Sequence, residues 1–199
     1  MLEIEVKFFI DELGALRDRL LKLGAENCGR FFETNFRYED QQGSLLKNRF
    51  LLRLRKDKKT TLTFKSSPKV SEKRFKIREE LEVEVSSFET MNRILEAIGF
   101  SRIQIYEKWR ETFTLGTTHF CVDTMPYGNF LEIEGKPEKI RLYAGQLRLN
   151  WSERILKNYL ELFAIIRRKE KFAFSEVTFD NFKTVTFDIR QYLSLFRET

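Results

Sequence analysis

Polar and apolar residues alternate with a period of two in one short stretch after another along this chain. That is the signature of strands with one apolar and one polar face. At the start Leu2, Ile4, Val6 and Phe8 point one way, and Glu3, Glu5 and Lys7 the other. In Phe50-Leu51-Leu52-Arg53-Leu54-Arg55 the two arginines share a face opposite Leu52 and Leu54, and Thr61-Leu62-Thr63-Phe64-Lys65 repeats the pattern. Residues 75–85 place Lys76, Arg78, Glu80, Glu82 and Glu84 on one face and Phe75, Ile77, Leu81, Val83 and Val85 on the other, with Glu79 out of step. Further on, Lys108 and Arg110 flank Trp109, then His119, Cys121 and Asp123 alternate with Phe120 and Val122, then Glu132 and Glu134 with Leu131 and Ile133. The pattern predicts about eight strands.

Helical spacing separates them. Residues 12–23 carry Leu13, Leu16, Leu20 and Leu23 on one side, with Asp11 expected as the N-cap and Gly24 as the stop. Residues 88–98 set Met91, Ile94, Leu95 and Ile98 on one side before Gly99. A third helical region spans about 138–168, broken near Leu149-Asn150-Trp151, with Ser152 expected to cap its second part. From Lys169 onward the chain is rich in phenylalanine (Phe172, Phe174, Phe179, Phe182, Phe187). Residues 1–168 are expected to form one domain and 169–199 an extension packed on its outside, and no internal repeat is visible.

Like charges sit together on the polar faces: Glu3 with Glu5, Arg53 with Arg55, Glu132 with Glu134. Such neighbours are about 7 Å apart on a strand, and their repulsion calls for opposite charge nearby. A half-buried sheet with a solvated face accounts for any one strand. The recurrence points to an α+β fold in which an eight-stranded antiparallel β-barrel keeps its apolar faces outward under helices and its charged faces inward. A lumen holding acidic and basic groups suits a polyphosphate with divalent cations.

Composition narrows the picture. With 199 residues, 20 Phe, 9 Gly and 3 Pro the chain is neither disordered nor collagen-like. Its 36 Lys+Arg against 30 Asp+Glu leave a net charge of +6, so the charge is dense but close to balance. Two cysteines, Cys28 and Cys121, and one histidine, His119, offer neither a disulfide framework nor a zinc site. No signal-peptide core opens the sequence and no apolar run reaches the roughly 18 residues of a membrane span. A cytoplasmic protein without membrane contact is expected.

Several motifs in order resemble the CYTH domain, or triphosphate tunnel metalloenzyme, superfamily. They are an ExExK in Glu3-Ile4-Glu5-Val6-Lys7, a segment similar to ETNxYFD in Glu33-Thr34-Asn35-Phe36-Arg37-Tyr38-Glu39-Asp40, an LRLR in Leu52 to Arg55, an LTFK in Leu62 to Lys65 and an REExE in Arg78 to Glu82. A KxR at Lys108 and Arg110, an aspartate at Asp123, a GxFLEIE in Gly128 to Glu134 and a final segment at Asn158 to Leu162 follow. Arg37 departs from the pattern, which usually has an aromatic residue there. The resemblance implies an eight-stranded charged tunnel and Mg²⁺ or Mn²⁺ as cofactor. It makes Glu3, Glu5, Glu132 and Glu134 the core metal ligands, with Glu82 and Asp123 as further candidates and Glu80 a weaker one. It assigns triphosphate binding to Lys7, Arg53, Arg55, Lys65, Lys76, Arg78, Lys108 and Arg110, and catalysis to Lys7, Glu5 and Glu134; whether Lys7 is a base or only a charge stays open. Hard cations prefer carboxylate oxygens and substrate phosphates, and guanidinium forks grip phosphate oxygens in pairs.

His119 and Cys121 face the predicted lumen but are read as structural. Residues 47–78 are strongly basic, yet periodicity turns Arg53, Arg55, Lys65, Lys76 and Arg78 inward and leaves Lys56, Lys58, Lys59, Lys69 and Lys73 as solvated turn residues. Nucleic acid is therefore disfavoured as a partner. The expected substrate is a small triphosphate, such as tripolyphosphate, ATP or thiamine triphosphate. Hydrolysis leads, a class IV-type adenylate cyclase comes second and a non-catalytic polyphosphate or nucleotide-binding module third; a homodimer stays open.

Overall fold

A computed structural model describes residues 2–67 and 74–197. Eight antiparallel strands close into a barrel: β1 (Leu2–Phe9), β2 (Glu26–Asp40), β3 (Leu51–Lys56), β4 (Thr60–Ser66), β5 (Lys76–Val85), β6 (Phe100–Leu115), β7 (Thr118–Met125) and β8 (Gly128–Glu134). Their order around the barrel is β1, β5, β4, β3, β2, β6, β7, β8, returning to β1. The predicted α+β barrel is present, with helices on its outside.

Three apolar clusters account for the packing. The outward residues Val6, Phe8, Phe120, Val122, Leu131 and Ile133 pack under α1 (Leu13–Lys22) and a helix at Pro137–Gln146. Leu16 and Leu20 of α1 are fully buried there, each contributing about 1.5–3 kcal/mol. On another side Leu52, Leu54 and Tyr38 lie under the helix Phe88–Ala97, whose Phe88 and Leu95 are buried. Ser87 caps that helix by accepting a hydrogen bond from the Thr90 backbone N–H.

The third cluster lies at one end of the barrel. The inward faces of β1 and β8 turn apolar at Phe9 and Phe130, and Tyr159, Leu162, Phe163 and Ile166 pack with them. These four belong to the 12-residue helix Tyr159–Glu170, labelled α2 below. The phenylalanine-rich tail completes the stopper through Phe172, Phe174, Phe182, Phe187 and Tyr192. Residue Val177 docks on β6 by two backbone hydrogen bonds of 2.9 Å, to Ile105 O and from Glu107 N. It uses the edge that β7, paired with β6 only from Trp109 onward, leaves open.

Three expectations need correction. Glu12, not Asp11, stands at the N-cap of α1, because the helix starts one residue later than its leucine pattern suggests, and no side chain caps it. Ser152 does not cap the later helix. It lies in a single 3₁₀ turn, Trp151–Glu153, and donates to Asn150 Oδ1. The cap of α2 is Asn158, in a reciprocal capping box with Glu161. Helices do not cover the whole outer face either: Leu81 and Val83 of β5 are 64% and 55% exposed, beyond the reach of the three packed helices. The predicted turn lysines Lys69 and Lys73 lie outside the described residues. No helix among the described residues is long and apolar enough to cross a membrane.

Candidate active site

Strand β1 carries Glu3, Glu5 and Lys7 along the lumen between two charged neighbours. Glu5 stands opposite Glu134 of β8 and Lys76 of β5, Lys7 opposite Glu132, and Glu3 opposite Arg78. Directly opposed like charges destabilise an antiparallel pair, so the Glu5–Glu134 pairing is an arrangement that needs a positive partner. Carboxylate oxygens of Glu3, Glu5 and Glu134 come within 4.8 Å of one another.

The three carboxylates differ in their surroundings. Glu3 accepts from Lys65 Nζ at 2.7 and 2.8 Å, yet burial and the neighbouring Glu5 hold its pKa above the usual value. Burial and Glu132 push Glu5 up too, but Lys76, Lys7 and Lys65 outweigh them and keep it low. Glu134 has no ion pair among the described residues; it accepts one long hydrogen bond, from the buried Cys121 Sγ at 3.9 Å from Oε1. Burial first, then Glu5 and Glu132, raise Glu134 to about 8 against the partial relief of Arg110. Three hard oxygen donors, one of them unable to shed its proton easily for want of positive charge, fit a divalent cation such as Mg²⁺ or Mn²⁺.

Towards the stoppered end the charges are matched. Asp123 is fully buried and accepts from Lys108 Nζ at 3.0 Å, from Arg110 Nε at 2.7 Å and from Tyr159 Oη at 2.8 Å. Glu132 pairs with Lys7 at 3.0 Å and with Arg110. Burial works against its charge, but Lys7 and Arg110 hold its carboxyl well below the usual range. Lys7 also donates to the Lys157 carbonyl at 3.2 Å and sits 4.1 Å from the Tyr159 ring centroid.

The opposite wall is cationic. Arg53 Nη2 reaches Thr63 at 3.2 Å and Glu82 at 3.9 Å. Arg55 lies 3.5 Å from Glu82 and 3.3 Å from Asp57, and Lys65 lies 3.3 Å from Glu80. All these side chains and those of the acidic wall line one cavity of about 2260 Å³, except Asp57, Thr63 and Asp123, which are not on its surface.

The structure therefore brings Glu3, Glu5 and Glu134 together and sets Glu132 and Asp123 among cations. Glu82 sits on the arginine wall, away from that trio. Arg78 is at the mouth, donating to Arg49 O at 3.1 Å and Ser67 Oγ at 2.6 Å. His119 lines the cavity and Cys121 is buried beside Glu134. Sequence reasoning missed Glu33, Tyr159 and Tyr106, whose hydroxyl accepts from Arg53 Nη1 at 3.4 Å in the cavity. Glu33 is buried opposite Lys108, 3.5 Å away, and Lys108 with Arg110 overcomes burial to lower it to about 2. The alternation of Glu33, Asn35 and Arg37 was the available signal. Lys56 and Lys59 are outside the lumen, paired with Glu89 and Glu84.

Comparison with known proteins adds the decisive observation: the family model of the CYTH domain matches residues 1–161. The chain belongs to the CYTH family. A relative from Methanocaldococcus jannaschii, named as a candidate adenylate cyclase, is 27% identical over 135 residues, covering 67% of this chain and 77% of its own. A Vibrio parahaemolyticus protein, also named as a candidate adenylate cyclase, shares the fold with a TM-score of 0.73 at 20% identity, covering 82% of this chain and 98% of its own. A Hippeastrum candidate adenylyl cyclase, described as having a dominant triphosphatase activity, has a TM-score of 0.57 at 19% identity, covering 84% of this chain and 96% of its own. The last two likenesses speak to fold alone.

Proposed function

We propose that this CYTH protein hydrolyses small triphosphates with the help of a divalent cation held by Glu3, Glu5 and Glu134. The observation that carries the reading is the pairing, in one chamber, of a carboxylate trio short of positive charge with a wall of Arg53, Arg55 and Lys65. Bound there, Mg²⁺ or Mn²⁺ would supply Lewis-acid neutralisation of phosphate and leaving-group oxygens.

The chain's own residues do the rest. Lys65 and Lys76 neutralise Glu3 and Glu5 in this state; they turn to phosphate oxygens once those carboxylates have another partner. Arg53 and Arg55 grip the chain from the other side as forks. Lys7 spends its ammonium on Glu132, the Lys157 carbonyl and the Tyr159 ring, a set of contacts that suits a fixed positive charge and not a proton acceptor. Phosphoryl transfer needs little more than positioning and charge stabilisation. Tripolyphosphate, ATP and thiamine triphosphate are the candidate substrates, and the two unpaired cysteines suit the reducing cytoplasm.

Cyclisation of ATP is the second reading, favoured by the name of the archaeal relative; fold does not choose between the two. Incubating the protein with each triphosphate and Mg²⁺ or Mn²⁺, while measuring phosphate, pyrophosphate and cyclic AMP, separates them. Phosphate released from tripolyphosphate is the expected result. Cyclic AMP and pyrophosphate from ATP, with tripolyphosphate acting only as an inhibitor, would reverse the order.

A further inference from the structure

The cavity does not end inside the barrel. At about 2260 Å³ it is larger than the roughly 300–1,000 Å³ of ordinary small-molecule sites, and it continues along α2 to Lys171 and Ser175. Its walls there are α2, the start of the tail, and the β2–β6 pair at Arg37 and Gln104, where Gln104 Nε2 donates to Ser175 O at 2.9 Å. Lys171 and Ser175 lie beyond the matched family region, which stops at 161.

Charge is arranged differently in this groove. Inside the barrel Lys7, Lys65, Lys76, Lys108 and Arg110 each hold a carboxylate. Arg37, Arg168 and Lys171 line the groove, and among the described residues none has an ion pair or a side-chain hydrogen bond. Glu39 and Glu161 attract Arg37 electrostatically but neither pairs with it. Glu39 accepts the backbone N–H groups of Asp40, Leu45 and Leu46, and Glu161 closes the capping box on Asn158. A basic last helical turn complements the helix dipole, and Arg167 in that turn also donates to the Phe172 carbonyl just past the helix. That effect does not reach Arg37, which stands on the opposite wall. Arg37 is half-buried, a costly place for an unpaired guanidinium without an anionic ligand.

We propose that Arg37, Arg168 and Lys171 form a second anion site, taking a phosphate oxyanion beyond the reach of the metal-bearing lumen. Its occupant is either the far end of a phosphate chain longer than three or free inorganic phosphate. The chain-end form rests on the triphosphate reading above; the free-anion form does not.

The test compares a groove variant (Arg37→Gln, Arg168→Gln, Lys171→Gln) with a charge-matched control (Lys22→Gln, Arg93→Gln, Lys139→Gln) on the full chain. In chelator, calorimetry with inorganic phosphate should give binding to the wild type and to the control, weakened about tenfold or more in the groove variant. With Mg²⁺, the ratio of KM for linear hexapolyphosphate to KM for tripolyphosphate should rise about tenfold in the groove variant alone if the chain end is the occupant. A chelator effect without a change in that ratio assigns the site to free phosphate. Equal losses in both variants, or none in either experiment, would overturn the proposal. A protein that releases no phosphate from tripolyphosphate yet binds phosphate through these residues would sink the hydrolase reading and leave the anion site standing.

Discussion

Asp123 and Glu134 are both acids on the inward face of the barrel, on adjacent strands, and they live in opposite electrostatic worlds. Asp123 takes hydrogen bonds from Lys108, Arg110 and Tyr159 and is sealed from solvent. Glu134 faces Glu5 on the neighbouring strand, has no cation pair among the described residues, and is raised to about 8. The first arrangement is complete as it stands; the second is complete only with added positive charge. A lumen built this way separates a strut, which fixes the positions of Lys108 and Arg110, from a socket.

The socket should show the largest effect on activity. Glu134→Gln and Glu5→Gln each take one carboxylate from the proposed metal site, and several kcal/mol of charge stabilisation should go with it. Turnover of tripolyphosphate should fall at least about 100-fold in each. Their metal-free stabilities should move in opposite directions. Glu5→Gln strands Lys76, whose carboxylate partner it removes, whereas Glu134→Gln relieves repulsion. Thermal melts in chelator read the difference; a Glu134→Gln protein that melts below wild type would place Glu134 in the strut.

Asp123→Ala is the matching experiment on the strut. It leaves Lys108 and Arg110 buried with less opposing charge, and breaking such a network costs about 3–5 kcal/mol. Urea denaturation should show that loss. Were Asp123 chiefly a metal ligand, its removal from the metal-free protein would cost little or raise stability.

This distinction also marks where the sequence stops being informative. Alternation with a period of two placed Glu3, Glu5, Arg53, Arg55, Glu132 and Glu134 on one surface, and the structure has them lining one cavity. Parity says which way a side chain points but not what it meets, so Asp123 and Glu134 looked alike. The long β2–β6 pair was only partly legible because Phe31, Phe32 and Trp109 sit beside charged residues on both faces. The capping box at Asn158 and Glu161 was present as a four-residue signal and went unread beside Ser152. The tail's phenylalanines announced burial, but the docking of Val177 on β6, about seventy residues away in sequence, is a long-range pairing that composition does not encode.

The pH dependence of the metal-free protein sharpens the comparison further. Glu134 holds its proton up to about 8 in the folded state against an ordinary value of 4.5. Below about 4.5 both folded and unfolded chains carry that proton and no penalty arises. As pH rises from there to 8 the unfolded chain loses the proton first, so Glu134 destabilises the fold progressively. Glu33 acts the other way: lowered to about 2, it contributes stability above 4.5 that is lost as pH falls through 2. Glu134→Gln should therefore match wild type near pH 5 in chelator and melt several degrees higher near pH 8, where one kcal/mol is worth about 2–4 °C. Equal melting temperatures at both pH values would remove the repulsion on which the socket rests.

Tyr159→Phe tests the strut with the smallest change. The substitution deletes only the hydroxyl, 2.8 Å from Asp123, and keeps the ring that faces Lys7 at 4.1 Å. Asp123 retains both of its cations, so the expected cost is that of one hydrogen bond to a charged group, about 1.5–3 kcal/mol, and less than the cost of Asp123→Ala. Tyr159→Leu should cost more than Tyr159→Phe, because it also removes the face over which the Lys7 ammonium sits, worth about 0.5–2 kcal/mol. Denaturation midpoints of the two variants in chelator give the split. Equal costs would mean that the ring contributes nothing and that α2 is anchored to the strut through the hydroxyl alone. A cost near zero for Tyr159→Phe would mean that Lys108 and Arg110 satisfy Asp123 by themselves, and the stopper helix would then be held by its apolar contacts with Phe130 and its neighbours.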